Sequence, residues 1–95
     1  MLPDMIKLRL YVTGQTPTSR ALTDQLHALF QQEYPDRYHL EVLDIFEHTE
    51  SAMADDVMVT PTLMRMLPMP VRRLIGDLGN RERVLAGLSI ESDGE

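Results

Sequence analysis

Few side chains in this sequence could do chemistry, and their spacing shows how little they could do together. His27, His39 and His48 stand apart, none with a second ligand at a spacing that holds a metal, so they read as surface or half-buried histidines. The chain has no cysteine. Disulfides, thiol nucleophiles and thiolate-bound metals are excluded together. Ser19 and Ser51 have no arrangement that recommends them as nucleophiles. Asp55 and Asp56 are adjacent, diverge on a helix, and read as a solvated face rather than a carboxylate pair. The stretch GQTPTS, residues 14–19, lacks the second glycine and the lysine of a phosphate loop. We therefore expect no catalytic residue, no metal and no cofactor.

Two groups suggest binding instead. Arg72, Arg73, Arg81 and Arg83 place four of the nine basic residues within twelve positions of an acidic chain. Arginine favours planar, bidentate contact with a partner's carboxylates, although pairing with Asp77 and Glu82 on a solvated surface would use the same residues. Met58, Met64, Met66 and Met69 place four of seven methionines in twelve residues. Methionine tolerates repacking and suits a surface that fits more than one environment, and it is also ordinary core filler.

Ninety-five residues make one small domain, expected over 1–90 with a disordered acidic tail at 91–95. No apolar run is long enough to span a bilayer. The start MLPDMIKLRLYV lacks a signal segment, which leads us to expect a cytoplasmic protein. The net charge of −6 argues against nucleic acid or an anionic membrane as the main partner.

The elements that must position these residues follow from periodicity. Ile6, Leu8, Leu10 and Val12 alternate with Lys7, Arg9 and Tyr11, the period of a strand. Thr16 can cap a helix and Pro17 suits its first position. Leu22, Leu26, Leu29 and Phe30 carry that helix over residues 17–33, and YPDR ends it. A second strand spans 38–46, and the βαβ unit implies parallel strands. HTESAMADDVM reads as a short helix with Thr49 as its cap and Ala52, Met53 and Val57 facing inward. VTPTLMRML and PVRRLIGDL can form an antiparallel hairpin, and NRERVLAGLSI a final helix capped by Asn80 with Val84, Leu85 and Leu88 inward. The order βαβαββα is the thioredoxin-like arrangement, in which a Thr-Pro pair, typically cis, opens the third strand; Thr60-Pro61 falls there. Local propensity supports a second reading, because TPTLMRML also has the composition, start and stop of a helix. GLSI would then be a terminal strand.

The runs LRLYVTGQTPTSRAL, YHLEVLDIFE and VTPTLMRMLPMPVRRLIGDLGNRERVLAGL closely resemble the KaiB family of circadian clock proteins, from about residue 7 to residue 88. The resemblance implies a protein that is not an enzyme and that binds the N-terminal ATPase ring of KaiC, a hexameric RecA-like kinase. It implies KaiA and a histidine kinase as further partners. It also implies a metamorphic chain: a resting βαββααβ form, a dimer or tetramer, exchanging with a monomeric thioredoxin-like form that binds KaiC. Pro61, Pro68 and Pro70 match family prolines, Gly76, Asp77, Asn80, Arg81, Glu82 and Gly87 match the GDL.NRE…G run, and Arg72 and Arg73 match its basic pair. On this basis Val57, Met58, Arg72, Arg73 and Arg81 are the expected partner-binding residues. Pro61, Pro68, Pro70, Gly87 and Ser89 are the expected fold-switch residues.

The sequence also departs from the family. Met69 stands where a proline is usual, EHTESA where an Asn-Pro stretch is, Asp56 where a lysine is common, and Ser89 where an aspartate is usual. Ser89 relieves a helix C-terminus of an unfavourable charge, so the thioredoxin-like form is expected to be favoured. Glycine in a helix costs about 1 kcal/mol against alanine, so Gly87→Ala is expected to deepen that bias. Two other functions fit the same layout. One is a cysteine-free enzyme holding glutathione on the Thr-Pro backbone, and the other is the sensor-type thioredoxin-like domain of a histidine kinase.

Overall fold

The computed structural model describes residues 5–88; Ser89 and the tail at 91–95 lie outside the described residues. The element order is β1 (Ile6–Val12), α1 (Pro17–Glu33), β2 (Tyr38–Asp44), α2 (Thr49–Ala54), β3 (Thr62–Leu67), β4 (Arg72–Ile75) and α3 (Arg81–Gly87). That is the expected βαβαββα order. The four strands form one sheet in the order β2-β1-β3-β4. β1 runs parallel to β2 and antiparallel to β3, and β3 runs antiparallel to β4.

Strand alternation divides the core between the two faces of the sheet. On one face Leu8, Leu10, Leu40 and Leu63 pack with Leu26, Leu29 and Phe30 of α1 and with Val84 of α3 and Leu88 at its end. On the other, Tyr11, Leu43 and Met64 pack with Ala52 of α2, with Val57 and Met66 against them. The sheet is thus sandwiched between α1 and α3 on one side and α2 on the other.

The first half forms as its local chemistry dictates. Thr16 caps α1 by accepting from the Ser19 backbone N–H at 3.1 Å, and the Ser19 hydroxyl accepts from the Thr16 N–H at 3.0 Å, with Pro17 at the first helical position. Tyr34 closes the helix, donating its N–H to Phe30 at 2.7 Å. β2 ends at Asp44 rather than 46 because the Asp44 carboxylate accepts from the Gly14 and Phe46 N–H groups and turns the chain.

The second half departs from expectation in three places. Thr49 is the first helical residue of α2, not its cap; His48 holds the cap position and makes no side-chain cap bond. Met53 points outward and is 79% exposed, because Ala52 takes the inward position of that short helix. Asp55 is not solvated, as the site below shows. The inward setting of Val57 has a clear cause. Asp56 adopts a left-handed conformation (φ 57°), so that its N–H reaches the Met53 carbonyl and the Val57 N–H the Ala52 carbonyl. This closes α2 with a Schellman motif and folds Val57 back over Ala52. The run 62–67 is a strand here, because residues 62–65 are buried on both faces and the run pairs with β1 on one side and β4 on the other. Thr60-Pro61, Leu67-Pro68 and Met69-Pro70 are cis. Asn80 caps α3, accepting from the Arg83 N–H at 3.0 Å.

Candidate functional site

The face of the sheet under α2 carries a transverse row of side chains, one from each strand. Register aligns Glu41 of β2, Arg9 of β1, Met64 of β3 and Arg73 of β4, and residues opposite one another share a face. Arg9 bridges two carboxylates, Nε to Glu41 and Nη1 to Asp55, each at 2.9 Å. The Tyr11 hydroxyl donates to the same Asp55 oxygen at 2.5 Å. Arg73 reaches the segment from the other side, donating to the Asp55 carbonyl at 2.5 Å and the Asp56 carbonyl at 2.9 Å. The turn after α2 is therefore gripped through both its carboxylate and its backbone.

This network shifts the ionisation of its members. Burial, and then the bond to Asp55, push the Tyr11 phenol up to about 12. Hydrogen bonding to Asp55, more than to Glu41, raises the Arg9 guanidinium above its usual range despite its partial burial. Tyr11 is thus a fixed neutral donor at physiological pH, and the arrangement positions a segment rather than moving a proton.

The gripped turn forms one wall of an open groove lined by Ile45, Ala52, Met53, Val57, Met58 and Val59, together with Thr13, Thr49 and Thr60. The two threonine hydroxyls meet at 2.5 Å beside Pro61. Met53 and Met58 stand almost fully exposed, at 79% and 83%. The groove can bury apolar surface of a partner. Among the described residues no group of three His, Asp or Glu could hold a metal ion, and no helix is long and apolar enough to cross a membrane.

The expected partner-binding residues are distributed rather than clustered. Val57 and Met58 lie together in the groove. Arg72 and Arg73 alternate across β4: Arg73 faces α2, and Arg72 faces the opposite side beside Arg65. Arg81 is turned toward the end of α1, bonded to Gln32 at 2.7 Å and paired with Glu33. Arg83 donates to the carbonyls of Ile75 and Asp77, each at 3.0 Å. Arg72 is exposed and makes no hydrogen bond or ion pair among the described residues.

Sequence reasoning missed two residues. Asp55 looked solvated because its partners, Arg9 and Tyr11, lie more than forty positions away. Arg65 is buried, and its guanidinium donates to the Leu88 carbonyl at 2.8 Å and the Pro70 carbonyl at 2.7 Å. Burial, with Arg72 alongside, lowers its affinity for the proton. The one signal for Arg65 was a charge in a strand whose other residues are mostly apolar.

The expected switch residues Pro61, Pro68 and Pro70 border β3, while Gly87 ends α3 against β4. A Cβ at Gly87 would stand 2.8 Å from Leu74 Cδ1 and 3.2 Å from Cδ2. The expectation that Gly87→Ala favours this form thus carries a condition, that the Leu74 methyls shift to admit the new side chain. Overlap with the end of the Leu74 side chain opposes the gain in helix propensity.

A model of the KaiB domain matches residues 9–90. The circadian clock protein KaiB3 of Synechocystis sp. is 40% identical over 89 residues, covering 94% of this chain and 87% of that protein. The circadian clock oscillator protein KaiB of Prochlorococcus marinus is 47% identical over 83 residues, covering 87% of this chain and 73% of that one. Among solved structures, the N-terminal domain of SasA from Synechococcus elongatus matches with a TM-score of 0.75 at 20% identity, over 96% of this chain and 90% of that domain. Mitochondrial thioredoxin 3 of Saccharomyces cerevisiae matches at 0.69 and 17%, over 90% and 78%. At such identities the structural likeness carries the fold alone, and the fold is thioredoxin-like.

Proposed function

The chain belongs to the KaiB family, and on that premise we propose that it is a non-catalytic clock regulator that docks on the N-terminal ATPase ring of a KaiC-type kinase. The observation that carries this reading is the apolar groove beside Pro61, built from Val57, Met58 and their neighbours on a thioredoxin-like scaffold that has no sulfur for disulfide exchange. Val57 and Met58 make apolar contact with the ring. Arg72 supplies a cation to it, while Arg73 and Arg81 hold the turn after α2 and the start of α3 in place for docking. KaiA and a histidine kinase are further partners of the same cytoplasmic protein. Residues 1–90 act as one domain.

The same premise supports a switch of fold in the second half, between this form and a βαββααβ form that associates as a dimer or tetramer. Pro61, Pro68, Pro70, Gly87 and Ser89 lie in or beside the segments that rearrange. Titration of the KaiC ring with Arg72→Glu tests the docking surface: affinity should fall, with the thioredoxin-like spectrum unchanged. Unaltered affinity would remove Arg72 from the interface, and no binding by the parent chain would overturn the reading.

A further inference from the structure

We propose that Met53 and Met58 form an oxidation site at which a peroxide controls docking in the groove. The inference rests on the docking reading above and adds a regulator to that surface. The chain has neither cysteine nor tryptophan, so methionine thioethers are its most readily oxidised side chains. Their accessibility is sharply divided. Met53 and Met58 are 79% and 83% exposed and share the groove, while Met64 is 2% exposed beneath α2. Met69, in the β3–β4 turn, is 71% exposed but lies outside the groove.

The chemistry is a two-electron oxygen transfer. A sulfur lone pair attacks one peroxide oxygen, the S–O bond forms as the O–O bond breaks, and the departing oxygen takes up the protons and leaves as water. Sulfur is oxidised to the sulfoxide and the peroxide is reduced. Each event places a polar oxygen in a groove where Ile45, Ala52, Val57 and Val59 offer no side-chain donor and the hydroxyls of Thr13, Thr49 and Thr60 are the side-chain donors in the lining. A partner covering the groove with apolar surface must then take that oxygen out of water, which weakens binding by roughly tenfold or more. Methionine sulfoxide reductases reverse the change.

The test is limited oxidation of the full chain with dilute hydrogen peroxide, followed by peptide mass spectrometry and titration of the KaiC ring. Met53 and Met58 should gain oxygen well before Met64, whose protection also reports that the fold survives. Affinity should fall and return after reductase treatment. Whatever affinity a Met53→Leu/Met58→Leu double variant, close to volume-conserving, has before treatment should not change in peroxide, whereas Met69→Leu should remain sensitive. Oxidation of Met64 in step with Met53 and Met58, full affinity of the oxidised chain, or an equal loss in the double variant would each overturn the proposal. Failure of the unoxidised chain to bind would overturn the docking reading instead, leaving the order of oxidation as an independent result.

Discussion

Residues 6–44 and residues 49–88 have similar lengths and reach order by different means. The first segment buries Ile6, Leu8, Leu10, Tyr11, Val12, Leu26, Leu29, Phe30 and Tyr34 around one long helix with a capping box. The second buries fewer large apolar side chains and leaves seven of the ten exposed ones on its surface: Met53, Met58, Val59, Leu67, Met69, Val71 and Ile75. What it adds, among the described residues, is six arginine-to-carbonyl hydrogen bonds, from Arg65, Arg73 and Arg83 to the ends of its own short elements. Apolar burial tolerates small displacements, but a guanidinium fork holds only where its acceptors stand correctly. The second half is thus ordered by less apolar burial and by bonds that depend on where a few carbonyls stand.

The contrast can be broken most forcefully at Arg65. Arg65→Met removes its bonds to the Leu88 and Pro70 carbonyls and leaves both short of a donor, so we expect a loss of roughly 2–3 kcal/mol in urea unfolding. An unchanged midpoint would mean that these bonds hold nothing. Tyr11 tests the tie between the halves through pH. An unfolded tyrosine ionises near 10, whereas folded Tyr11 holds its proton to about 12. Its contribution is therefore intact below pH 10 and lost as pH rises through 12, a fall of roughly 2–3 kcal/mol if the whole shift is realised. Tyr11→Phe should flatten that stretch of the stability curve, and a parallel decline in both proteins would assign it elsewhere. Gly87→Ala is the finest probe. Overlap with Leu74 should outweigh the helix gain of about 1 kcal/mol and give a small net destabilisation, which a Leu74→Ala background should reverse in sign. A stabilised single variant would show that Leu74 moves aside freely.

The halves also differed in how plainly the sequence announced them. β1 and α1 match their expected bounds because alternation, the Thr16 cap and Pro17 all favour one answer. In the run 60–67 helix propensity and strand burial disagreed, and pairing on both sides with β1 and β4 decided for the strand. The groove was only half legible. Val57 and Met58 were singled out, but Met53 was placed inward, since a six-residue helix offers too short a pattern to fix its face. Arg73, Arg81 and Arg83 looked like a surface for partners because their acceptors are backbone carbonyls or residues far along the chain, which no local pattern marks. Asp55 was hidden for the same reason.

Native-state hydrogen exchange, resolved by residue, tests the division most directly. Core amides of β1 and α1, such as those of Leu10 and Phe30, should exchange only through global unfolding. Those of β4 and α3, such as Leu74 and Val84, should exchange through a smaller opening at least about 1 kcal/mol lower in free energy, and Arg65→Met should lower it further without touching the first set. A single opening energy shared by both halves, with the variant shifting all amides equally, would contradict it.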